Sequence, residues 1–192
     1  MSDQSLLDLW LSIPAQWVSG LSESQLQMAE GVFGFRFPPD YRALLAERLP
    51  IDINEPDGSS LQQFPDWRDP FGPVTQNVQW PWVSICLDVG KYNQFWLDEW
   101  GEKPNDERER LDIARAKWSI APRLIPVYGH RYLPAIPQSG NPVLSVYQTD
   151  IIYYGWDLES YIKAEFFGQP IDRTMPAKTI DLGLWDRIMD AE

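Results

Sequence analysis

Val143-Leu144-Ser145-Val146-Tyr147-Gln148-Thr149-Asp150-Ile151-Ile152-Tyr153-Tyr154 decides the fold. Two β-prone runs flank the turn-forming Gln148-Thr149-Asp150, the pattern of adjacent antiparallel strands joined by a short turn. Tyr153 and Tyr154 are consecutive, so within a strand their rings point to opposite faces of the sheet. One ring therefore looks away from the core unless a further layer covers that face. Upstream, Gly140-Asn141-Pro142 is a turn and Leu124 to Tyr128 another strand. Downstream, Asp157 caps a helix with Leu158, Tyr161, Ile162 and Phe166 inward, and Gly168 closes it.

Before these strands the periodicity is helical. Leu6, Leu7, Trp10 and Leu11 share a face, which Pro14 interrupts. Ser22 with Gln25 makes a capping box for a helix carrying Leu26, Ala29 and Phe33, and Gly34 ends it. Phe35-Arg36-Phe37 is extended ahead of Pro38. Pro39 then opens a third helix with Tyr41, Leu44, Leu45 and Leu49, ended by Pro50. Residues 51–75, rich in Pro, Asp, Gly and Ser, read as loop. Residues 78–97 fit helical and strand spacing alike. Asn105-Asp106-Glu107 caps a helix whose apolar side is Leu111, Ala114 and Trp118, with Pro122 beyond it. The segment from Gln169 to Thr179 reads as irregular, and Asp181 caps a last short helix with Leu182, Trp185, Ile188 and Met189. Helices, then strands, then helices predict an α+β fold, a mainly antiparallel β-sheet packed by helices.

The 192 residues suit one domain, and no internal repeat divides them. No apolar run reaches the roughly 20 residues that cross a bilayer. Met1-Ser2-Asp3-Gln4 puts no basic patch ahead of an apolar stretch, so no signal peptide is expected. With Cys86 as the one cysteine, the expected compartment is the cytoplasm. The net charge of −12 is uneven: residues 113–149 carry no acid, only Arg115, Lys117, Arg123 and Arg131. The acidic flanks repel nucleic acid and anionic lipid, so neither is an expected partner. They serve solubility or attract a basic protein. Ten tryptophans build a core, an interface or a sugar site.

Catalytic devices are few. One histidine and one cysteine cannot form a His/Cys metal cluster, and no phosphate-binding or dinucleotide-binding glycine motif is present. No cofactor, metal or catalytic residue is expected. His130, in Tyr128-Gly129-His130-Arg131-Tyr132, reads as structural rather than as a base. Cys86 reads as a small buried hydrophobe. Asp98, Glu99 and Glu102 beside Trp96 and Trp100 are either the acids of a sugar-cleaving site or a solvated acidic turn. Trp67, in Pro65-Asp66-Trp67-Arg68-Asp69, is either a cap over the core or an exposed anchor.

A family pattern runs through the chain. A capped helix carries Glu30, followed by Gly34, then Phe37-Pro38, then Asp40-Tyr41-Arg42 and Leu44-Leu45. Later come Phe95-Trp96, Glu99-Trp100-Gly101, Lys103-Pro104, the run from Leu124 to Tyr132, and the run from Gly140 to Gly155. Together these resemble the SUKH superfamily (the Smi–Knr–Syd class) over most of residues 22–166. Residues 1–21 then stand as an N-terminal helical extension, 51–95 as a branch-specific insertion, and 169–192 as a C-terminal tail with a short helix. The resemblance implies an α+β domain and a non-catalytic immunity protein that binds and neutralises a cognate bacterial toxin, often a nuclease. Other members are regulatory or scaffold modules, a second expectation; a carbohydrate-active enzyme or sugar binder is the third. For a basic toxin, the expected contacts are Trp67, Asp69, Asp98, Glu99, Glu102, Asp106, Glu107, Glu109 and Tyr153.

Overall fold

The hairpin expected from Val143 to Tyr154 is the centre of the molecule. In the computed structural model, which describes residues 3–54, 60–61, 64–171 and 180–191, it forms two strands of a four-stranded antiparallel meander. The strands are β4 (Leu124–Tyr128), β5 (Arg131–Pro134), β6 (Val143–Tyr147) and β7 (Asp150–Gly155), hydrogen-bonded in that order. Tyr147 pairs with Asp150 across the two-residue loop Gln148-Thr149. β5, which the sequence reading left out, completes the sheet between β4 and β6.

Both faces of this sheet are buried. Ile125, Val127, Leu133 and Val143 face one core, while Leu124, Tyr132, Leu144, Val146 and Ile151 face another. Tyr154 packs on the first core and Tyr153 on the second, so a layer covers each side of the sheet. That explains why Leu124 to Val127 and Val143 to Val146 are continuous buried runs rather than polar–apolar alternations. The meander is the middle of three layers.

The first outer layer comprises α1 (Asp3–Leu11), α2 (Glu23–Phe33), α3 (Pro39–Glu47) and α6 (Leu158–Phe167), with a small antiparallel sheet of β1 (Gln16–Ser19), β2 (Arg48–Asn54) and β3 (Ser60–Leu61). The second comprises α4 (Val74–Gly90), α5 (Glu107–Ser119), α7 (Leu184–Met189) and a single 3-10 turn at Asp98–Trp100. α6 lies so close to β7 that a Cβ on Gly155 would stand 2.5 Å from Cβ of Tyr161; only glycine fits there.

The expected caps form. Ser22 and Gln25 make their reciprocal box, Gly34 closes α2 at a φ of 67°, and Asp106 and Asp157 accept the N3 amides of α5 and α6. Several readings need correction. α3 ends at Glu47, and the chain passes through Pro50 as part of β2, not as a stop. A proline fits because β2 meets β1 at an irregular register, with Trp17 opposite Pro50. Residues 51–54, 60–61 and 74–75 are therefore regular structure and not loop. The segment 1–21 holds β1 as well as a helix. Gly183, not Asp181, is the N-cap of α7; the Asp181 carboxylate accepts the Gly183 N–H just before it. Residues 169–171 have no regular structure, and the rest of the expected irregular stretch, 172–179, lies outside the described residues.

Residues 78–90 belong to α4, despite Pro81 in its middle. Proline has no N–H, so the carbonyl four residues earlier, that of Asn77, loses its helical donor. The Tyr132 hydroxyl supplies the missing bond to that carbonyl at 3.0 Å, tying α4 to β5. Tyr132→Phe should remove that donor and lower stability by about 1–2 kcal/mol. Urea unfolding would check it; an unchanged midpoint would mean that water satisfies the carbonyl instead.

Candidate functional site

α4 and α5 form an antiparallel pair. Trp82 packs on Trp118 with ring centroids 5.5 Å apart, and the Arg115 guanidinium lies over the Trp82 ring at 5.1 Å. At the other end of the pair, Glu107 covers Gly90. The chain between the two helices folds over that end. Arg110 locks it by donating to the carbonyls of Val89, Gly90, Pro104 and Asn105. A cation on the last carbonyls of α4 is favourable both as a hydrogen-bond donor and against the helix dipole.

This connection brings together most of the acids read from the sequence. Asp98, Glu99 and Glu102 are exposed on and after the 3-10 turn, and Asp106, Glu107 and Glu109 are exposed at the start of α5. Asp106 Oδ1 accepts the Glu109 N–H at 3.0 Å, and Glu107 and Glu109 also stabilise the positive end of α5. Glu99 pairs with Arg187 of α7 at 2.9 Å, so the tail helix borders the same surface. Tyr92, 68% exposed, stands in the same connection.

Three predicted contacts lie elsewhere. Trp67 is completely buried, edge-on to Phe33, Phe35 and Phe37, and so caps the first core instead of anchoring a partner. Asp69 is exposed, and its carboxylate accepts the Phe71 N–H in the turn before α4. The length of α4, about 25 Å at 1.5 Å per residue, separates Asp69 from the other acids. Tyr153 turns inward: it donates to Asp186 Oδ1 at 2.9 Å and stacks on Trp156. It docks α7 on the sheet and is not a free contact residue.

Of the two tryptophans expected beside the acids of a sugar site, Trp96 is half-buried and Trp100 is buried. Trp100 is 7% exposed and packs edge-on to Phe95 and Trp96, leaving no ring face for a sugar. The Trp96 indole N–H is bonded to the Gly101 carbonyl at 2.8 Å. Cys86 is half-buried against α5, and burial pushes its thiol up to about 11, so it carries almost no thiolate at neutral pH. His130 is exposed at the β4–β5 turn; partial burial first, then Arg131, lowers its pKa. Among the described residues no group of three or more His, Cys, Asp and Glu is placed to hold a metal, and no helix is long and apolar enough to cross a membrane.

The sequence reading missed one further feature. An open groove of about 430 Å³ runs between α4 and the turns of the sheet, lined by residues that include Gln76, Trp80, His130, Tyr132 and Tyr147. A signal for it was available: from Val74 to Leu87 there is no charged residue. The signal was hidden because a charge-free stretch also fits a buried strand.

No family model, no curated protein and no solved structure matches this chain.

Proposed function

We propose that this chain is a non-catalytic protein-binding domain that neutralises a cognate bacterial toxin by direct contact. The observation that carries the reading is the joining of Asp98, Glu99, Glu102, Asp106, Glu107 and Glu109 on one exposed surface beyond the ends of α4 and α5. A surface of this sign attracts and orients a basic partner, and a nuclease toxin presents a basic cleft. The buried carboxylates have structural partners instead. Glu30 accepts from the Phe37 amide and from Arg36. Asp88 accepts from Thr149, and Asp186 from Tyr153.

The test is co-purification with any toxin domain encoded beside this chain, at low and then rising salt. A complex that weakens as salt rises supports the reading, because exposed charge pairs are screened. The quadruple variant Asp98→Asn, Glu99→Gln, Glu102→Gln and Glu109→Gln should slow association about tenfold or more at low salt and affect dissociation less. If no neighbouring toxin domain binds at low salt, the toxin reading fails, and a regulatory or scaffold role with another protein takes its place.

A further inference from the structure

One face of α4 differs from the rest of the surface. Its exposed positions are Gln76, Gln79, Trp80 and Val83, none of them charged, in a protein of net charge −12. Trp80 is 37% exposed and Val83 43%, and Tyr147 across the groove is 58% exposed. Positions 76, 80, 83, 87 and 90 recur every three or four residues and so share one side of the helix. Glu107 covers the last of them, Gly90. The uncharged stripe thus ends where the acidic surface begins, about 15 Å from Trp80. Exposed aromatics without charge, bordered by ionic residues, match the core and rim of protein interfaces.

We infer that this face is the anchoring half of a docking surface for a basic protein. An apolar side chain of the partner enters between Trp80 and Tyr147, and its lysines or arginines meet Asp106, Glu107 and their neighbours. The inference rests on the protein-binding reading above and assigns most of the affinity to the groove rather than to the acids. The exposed acids are screened by solvent and salt, so they set the rate and orientation of approach. The aromatic groove sheds water on contact, so it sets the lifetime of the complex. Charge selects the occupant: a second copy would bring an equally acidic surface to the same place.

The experiment places a photo-crosslinking residue at Val83 or, as a control on the opposite layer, at Met28 of α2, which is 51% exposed. The first probe is any toxin domain encoded beside the chain. Crosslinking from position 83 and not from 28 is expected. Trp80→Ala with Tyr147→Ala should speed dissociation about 30-fold or more while leaving the salt dependence intact. Circular dichroism checks that the variants keep their fold. If the toxin domain binds but crosslinks only from position 28, the toxin reading stands and the groove is overturned.

The second probe covers the case in which the toxin domain does not bind. It is a set of synthetic peptides with one leucine and four lysines, read through the Trp80 indole N–H resonance, which Trp80→Phe identifies. Saturable shifts that vanish when the leucine is replaced by alanine retain the groove without the toxin. No shift from any peptide, together with no toxin binding, overturns both. A concentration-dependent dimer that buries Trp80 overturns the choice of a basic partner.

Discussion

Gly20→Ala should lower stability by about 3 kcal/mol or more, at or beyond the upper end for overpacking. Gly20 links β1 to α2 and crosses the end of α3 so closely that an added Cβ would overlap the carbonyl oxygen and carbon of Ala46. These are backbone atoms, so no side chain can rotate away. Relief requires the link to lift, which pulls on the Leu21 N–H to Leu45 bond of 2.8 Å and on the pairing of Ser19 with Arg48. At 2–4 °C per kcal/mol for a chain of this size, the midpoint of thermal unfolding should fall by about 6–12 °C. Gly31 in α2, where a Cβ meets nothing within 4 Å, is the internal control. Gly31→Ala should leave stability unchanged or raise it by up to about 1 kcal/mol through helix propensity. Equal midpoints for the two variants would refute the close approach at Gly20.

Asp88→Ala should have a comparable effect for a different reason. The Asp88 side chain is fully buried near the end of α4. One oxygen accepts both the backbone N–H of Thr149 at 2.9 Å and its hydroxyl at 2.7 Å, and the other accepts the Asn93 amide at 2.9 Å. No cation is among these hydrogen-bond partners. Alanine leaves the buried Thr149 donors without an acceptor and detaches the β6–β7 turn from α4. The expected loss is about 3 kcal/mol, from several hydrogen bonds to a charged acceptor. Asp88→Asn keeps an oxygen for Thr149, and the Asn93 side chain can turn its own oxygen toward the new amide, so its loss should be under half as large. Paired denaturant titrations measure both. If Asn and Ala cost the same, the clamp depends on the charge and not on the acceptor geometry.

The parts of the fold that were legible in the sequence are those set by neighbouring residues. Ser22 with Gln25, Gly34, Asp106 and Asp157 act within one helical turn, so they mark helix ends directly. The β6–β7 hairpin is legible for the same reason, because two residues close it. β1 and β2 were not. They pair across about 30 residues, and Pro50 and the short Gln16–Ser19 run give no local sign of that partnership. α4 was ambiguous because Val83, Ile85 and Leu87 alternate as in a strand while helical spacing also fits, and the bond that offsets Pro81 within the helix comes from Tyr132, 51 residues away. The same limit applies to the candidate surface. Exposed acids at 98–109 follow from composition, whereas the burial of Trp67 depends on three phenylalanine rings that only the folded chain brings around it. Trp80 and Trp67 look alike in sequence, and tertiary packing alone makes one exposed and the other inaccessible.

The middle position of the meander also orders events during synthesis. Both helical layers pack on strands that begin at Leu124, so α1 to α5 leave the ribosome before the surface they rest on exists. At 5–20 residues per second, the 39 residues from Ile85 to Leu124 take about 2–8 s and the 114 from Trp10 about 6–23 s, an interval in which Trp10, Phe35, Trp67 and Ile85 have no meander to cover them. Their rings and branched chains are then sites for chaperones or for association between nascent chains. The run from Leu124 to Gly155 ends this interval in one step, because it is local in sequence and serves both cores at once.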